Sequence, residues 1–76
     1  MMTQIEFTLQ WFMLRPTDCR QFHHAEAHLR TKWNIATKNE PKYQDFKDPK
    51  RTLRMLEVQG FLQKPTKGFF VYIPPN

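Results

Sequence analysis

His24 and His28 stand four residues apart in the run "HHAEAH". That spacing puts two imidazoles on one face of a helix, where such pairs hold zinc when further ligands join them. Two ligands are too few for a structural site, and His23 points about 100° away from His24 on the same helix. The order is also not the metalloprotease "HExxH", because Glu26 is one place off. The expected state is therefore exposed histidines on a solvated face and no bound metal. Cys19 is the other residue with nucleophilic potential. It falls on the apolar stripe expected of the helix that follows, so packing is its expected role. Glu26 is set to pair with Arg30 at i+4. No glycine-rich phosphate loop, carboxylate pair or serine–histidine constellation occurs. The expectation is a non-enzymatic protein without cofactor or small-molecule substrate.

The charged residues are the more informative set. The net charge of +5 is spread unevenly. Residues 1–14 carry only Glu6, and residues 35–48 balance three lysines against three acids. Residues 15–34 have an excess of +2, and residues 49–76 set Lys50, Arg51, Arg54, Lys64 and Lys67 against Glu57 alone, an excess of +4. A basic element of this kind fits a polyanionic partner, most often nucleic acid.

The elements that carry those charges are marked by their ends. In "DPKRTLRMLEVQGFL" (48–62), Asp48 suits an N-cap and Pro49 the first helical position. Gly60 suits the left-handed residue beyond the helix end. Leu53 and Leu56 face one side, and Phe61 is expected to pack beyond the cap. A hairpin follows, with "FLQK" and "FFVYIP" as strands and "PTKG" as its turn. Alternation sends Phe69, Val71 and Ile73 to one face and Phe70 and Tyr72 to the other, one of them core and the other free to meet a partner such as an unpaired base.

Upstream, "TDCRQFHHAEAHLRTKWN" reads as a long helix fading at Asn34. Its cap is Asp18 with Gln21 three residues on, or else Thr17. Cys19, Phe22, Ala25, Leu29 and Trp33 form its apolar stripe, and Arg20, His24, Ala27, His28 and Thr31 the far face. Residues 35–47 lack a period; Asn39 is the expected cap of a short helical turn that turns Tyr43 and Phe46 inward. The N-terminal run fits two periods. Ile5, Phe7, Leu9 and Trp11 alternate as in a strand, whereas Ile5, Leu9, Phe12 and Met13 repeat as in a helix. Aromatic and β-branched content favours the strand.

A capped basic helix, a "LEVQGFL" exit and a basic-tipped hairpin resemble the third helix and wing of winged helix-turn-helix domains. Leu56, Glu57, Gly60, Phe61 and Leu62 follow the order found there, and the resemblance covers residues 48–73. It implies a small α+β winged-helix-like domain. It also implies that Lys50, Arg51, Thr52 and Arg54 meet double-stranded DNA, with the arginines suited to guanine and Lys50 to phosphate. Lys64, Thr66 and Lys67 at the wing tip would touch the backbone or minor groove.

Met55 and Val58 lie beside Arg51, where a recognition helix ordinarily shows polar groups. A second reading follows from them: a protein-binding adaptor or inhibitor that uses Met55, Val58 and the patch from Trp11 to Leu14. The chain length of 76 residues predicts a single domain over 1–76. One cysteine permits no internal disulfide, and no signal peptide or membrane span is evident, so a cytoplasmic setting is expected. The function expected is that of a transcriptional regulator or a DNA-architectural accessory factor, with a homodimer doubling the phosphate contacts.

Overall fold

The run from Gln4 to Met13 is a helix, α1, and not the favoured strand; the computed structural model of the chain describes residues 2–38 and 40–75. Thr3 starts α1, its hydroxyl accepting from the Glu6 backbone N–H at 3.1 Å. The helix period prevails because the run is covered from two sides. Phe12 and Thr8 are fully buried, and Ile5, Leu9 and Trp11 pack against the core cluster of Phe12, Ala25, Leu53, Leu56, Leu62 and Phe70. The buried Thr8 hydroxyl donates to the Gln4 carbonyl at 2.7 Å, so the polar atom inside is satisfied. The alternation of Ile5, Phe7, Leu9 and Trp11 reflects a helix with more than one apolar contact face.

A short strand follows, β1 (Arg20–Gln21), and then the long helix α2 (Phe22–Thr37). Neither Asp18 nor Thr17 caps α2; the cap is Gln21, whose side chain accepts from the His24 N–H at 3.1 Å. Pairing of residues 20 and 21 in the sheet keeps them extended and delays the helix. Cys19 therefore lies ahead of α2 and is exposed, not packed on its stripe. Ala25, Leu29 and Trp33 are buried as expected, and the helix continues to Thr37, closed by Lys38 in the left-handed region.

Between α2 and the next helix the described residues form no helix but one hydrogen-bonded turn, the Tyr43 N–H donating to the Glu40 carbonyl at 3.0 Å, and the expected cap Asn39 lies outside them. Side chains from other elements hold this segment instead. Trp33 Nε1–H donates to the Gln44 carbonyl at 2.8 Å, and an Arg30 guanidinium N–H to the Phe46 carbonyl at 2.7 Å. The Gln4 amide donates to the Asp45 carbonyl at 2.7 Å and accepts from the Lys47 N–H at 3.0 Å. Backbone groups satisfied this way have no need of a helix. Phe46 is buried beside Leu29 and Trp33, with Tyr43 half-buried against them.

Helix α3 (Pro49–Val58) starts on Asp48, whose carboxylate accepts from the Arg51 N–H at 3.2 Å. It ends in a Schellman arrangement. The Phe61 N–H donates to the Leu56 carbonyl at 2.9 Å, the Gly60 N–H to the Glu57 carbonyl at 3.0 Å, and Gly60 has φ +86°. Leu62, and not Phe61, is the residue buried beyond the cap.

The C-terminal strand β2 (Phe69–Phe70) pairs antiparallel with β1, Arg20 opposite Phe70 and Gln21 opposite Phe69. On its other side a single antiparallel bridge joins Gln63 and Val71 through bonds of 2.8 and 2.9 Å. The expected hairpin is thus reduced to one bridge, and its turn is shifted by one residue. The Phe69 N–H donates to the Thr66 carbonyl at 3.1 Å, with Gly68 at φ +84° as the third turn residue. The expected alternation also breaks, since the adjacent Phe70 and Val71 are both buried and Ile73 is exposed. The chain is a small α+β fold of three helices and a two-stranded antiparallel sheet. No described helix is long and apolar enough to cross a membrane.

Candidate nucleic-acid interface

Helix α3 has two unlike faces. Pro49, Thr52, Leu53 and Leu56 are buried, and Lys50, Arg51, Arg54 and Val58 are exposed. At about 100° per residue the four exposed positions fall within about 100° of the helix circumference, with Val58 between Arg54 and Arg51 in direction. Arg51 and Arg54 therefore lie beside one aliphatic side chain, and Lys50 stands about two turns away from it. Among the described residues none of Lys50, Arg51, Arg54, Lys64 and Lys67 takes part in an ion pair; the pairs found are Glu26 with His23 and Arg30, and Glu40 with Lys42. The positive charge of α3 and of the turn is accordingly not neutralised within the fold.

Thr52 does not belong to that face. It is 7 % exposed, and its hydroxyl is directed to the Asp48 carbonyl at 3.4 Å. It sits one residue from Arg51 but about 100° further round, on the core side. Met55 and Val58 also part company. Met55 is half-buried and lines a cleft with Thr3, Gln4 and Ile5 at the start of α1. Val58 is 78 % exposed. With Arg51, Arg54, Met55 and Gln59 it lines a shallow depression of about 330 Å³.

Lys64, Thr66 and Lys67 are exposed around the turn that precedes β2, and they line neither depression. Lys64 Nζ lies 5.7 Å from the Phe70 ring centroid. That contact steadies the stem of the side chain while leaving its charge available.

Trp11 belongs to a different surface, between α1 and α2. Its ring lies 4.8 Å from the Arg20 guanidinium carbon and 6.2 Å from the His28 ring. His24 and His28 stack with centroids 4.3 Å apart. Among the described residues no group of three or more His, Cys, Asp or Glu side chains is placed to hold a metal ion. The grouping of α1 and α2 side chains around Trp11 was not visible in the sequence, because it requires residues 4–13 to be helical. The spacing of Phe7, Trp11 and Leu14 at i, i+4 and i+7 was the signal that could have found it.

Compared with known proteins, the chain matches no family model, no curated protein and no solved structure.

Proposed function

We propose that this chain is a small, non-enzymatic winged-helix-like domain of the cytoplasm that binds duplex DNA, as a transcriptional regulator or DNA-architectural accessory factor. The observation that carries the reading is the exposed, unpaired cationic face of Lys50, Arg51 and Arg54 on a helix with fixed ends. Long cationic side chains held on a rigid helix and free of internal partners suit phosphate and base edges. Lys64, Thr66 and Lys67 supply backbone contacts from the turn before β2. The element order supports the winged-helix reading: a strand between the first two helices pairs with the last strand, beside which Val71 bridges back to Gln63, five residues past the end of α3. The test is titration of a generic duplex at low ionic strength. The wild type binds, and Arg51→Glu with Arg54→Glu does not.

A second reading rests on Val58. An aliphatic side chain this exposed at the C-terminal end of the face also suits a protein surface or a second copy of the chain, with Met55 beside it. Val58→Asp separates the two readings. It abolishes association with a protein, whereas it only weakens binding to DNA.

A further inference from the structure

α1 and α2 leave an open groove of about 730 Å³ between them, and no residue of α3 or of the C-terminal strand lines it. Its floor is apolar. Phe7 and Trp11 come from α1 and Leu14 from the residue that closes it, at i, i+4 and i+7, and Ile35 comes from the last turn of α2. Leu14 is 78 % exposed and Ile35 64 % exposed, so nothing in the described chain covers this end. The walls are cationic: Arg15 and Arg20 stand on one side, and Lys32 follows His24 and His28 along α2. No carboxylate lines the groove.

We propose that this groove binds an acidic amphipathic helix of a partner protein. An apolar floor accepts the apolar face of such a helix through anchors at i, i+3 or i+4, and i+7. Phe7 to Leu14 spans about 10 Å along α1, enough for two turns of the guest. Cationic walls without a carboxylate select acidic flanks and repel basic ones. A second copy of the chain would bring a net charge of +5 against those walls. Nucleic acid fits less well, because bases need an open aromatic face to stack on. The Trp11 ring is instead occupied by the Arg20 guanidinium and by Phe12 edge-on at 5.0 Å. Leu14 and Ile35 would meet no apolar partner in a phosphate backbone. The proposal is independent of DNA binding by α3.

The experiment is fluorescence anisotropy with the full chain and three labelled probes. The first is a synthetic peptide of about five helical turns with leucines at i, i+3, i+4 and i+7 and glutamates flanking them. The second has the same composition in scrambled order, and the third is an oligothymidine. The patterned peptide is expected to bind saturably and the scrambled one at least about tenfold more weakly. Ile35→Gln and Leu14→Gln, both at exposed positions and both neutral, are each expected to weaken the patterned peptide by about tenfold, the loss of one anchor. Circular dichroism reports that each variant is folded. Arg51→Ala with Arg54→Ala leaves peptide binding unchanged, which separates this site from α3. Equal binding of the scrambled peptide, or no saturable binding of the patterned one, overturns the proposal. So does oligothymidine binding that Ile35→Gln weakens, which would mark the groove as a nucleic-acid site.

Discussion

The carboxylate of Asp48 accepts a 3.2 Å hydrogen bond from the backbone N–H of Arg51, so the residue that starts α3 also fixes the turn carrying its basic face. Asp48 itself sits in the left-handed region at φ +45°. That conformation is tolerated by Asp and Asn and is strained for Ala. Asp48→Ala is therefore expected to lose the cap and gain strain, costing about 1–2 kcal/mol. Asp48→Asn keeps both features and stays within about 0.5 kcal/mol of the parent. Urea denaturation of the three proteins measures the difference, and equal losses in both variants would contradict the capping role.

The ends of α3 were legible for this reason. Asp48, Pro49 and Gly60 act through local backbone geometry, which does not depend on what the helix packs against. The stripe of Ala25, Leu29 and Trp33 was legible because one period fits it. α1 was misread because Phe7 and Trp11 form a second apolar face beside that of Ile5, Leu9 and Phe12, and only the helices around it decide between the periods. The start of α2 was misread because a pairing across about fifty residues, Arg20 with Phe70, holds Cys19–Gln21 out of the helix. Thr52 was misassigned by its neighbours in sequence, although the helix period alone places it with Leu53 and Leu56. The groove at Trp11 stayed hidden because it exists only once both helices are in place.

Gln4 ties α1 to the segment ahead of α3 through both ends of its amide. These bonds are exposed, so each is worth about 0.5–1.5 kcal/mol or less. Gln4→Ala is expected to cost about 1 kcal/mol and to speed hydrogen exchange at the Lys47 amide, which loses its acceptor. An unchanged exchange rate at Lys47 would show that the clamp does not persist in solution.

Gly60 is required by conformation and not by space. A Cβ there would meet nothing within 4 Å, yet its φ is +86°. Gly60→Ala should cost about 1–2 kcal/mol through the backbone alone. The folded variant should bind DNA like the parent, since the basic face of α3 is untouched. Thermal melts and a duplex titration read the two effects separately.

Val58 lies between Arg51 and Arg54 and is exposed, so substitution there should change stability by no more than about 0.5 kcal/mol. Charge at this position should act on DNA in both directions. Val58→Lys is expected to tighten duplex binding at low salt, and Val58→Asp to weaken it several-fold. Equal affinities for the two variants would remove α3 from the DNA interface.

The salt dependence of duplex binding tests the central claim most directly. Anisotropy of a labelled generic duplex is followed over a range of salt concentrations for the wild type and for Arg51→Ala with Arg54→Ala. The wild type is expected to bind at low salt and to weaken steeply as salt rises. On a generic duplex, where no guanine is read specifically, both arginines lie against phosphates, and the double variant should show a slope of log affinity against log salt shallower by about 1.8. No duplex binding at low salt, or a slope unchanged by the double substitution, would contradict DNA binding by this face.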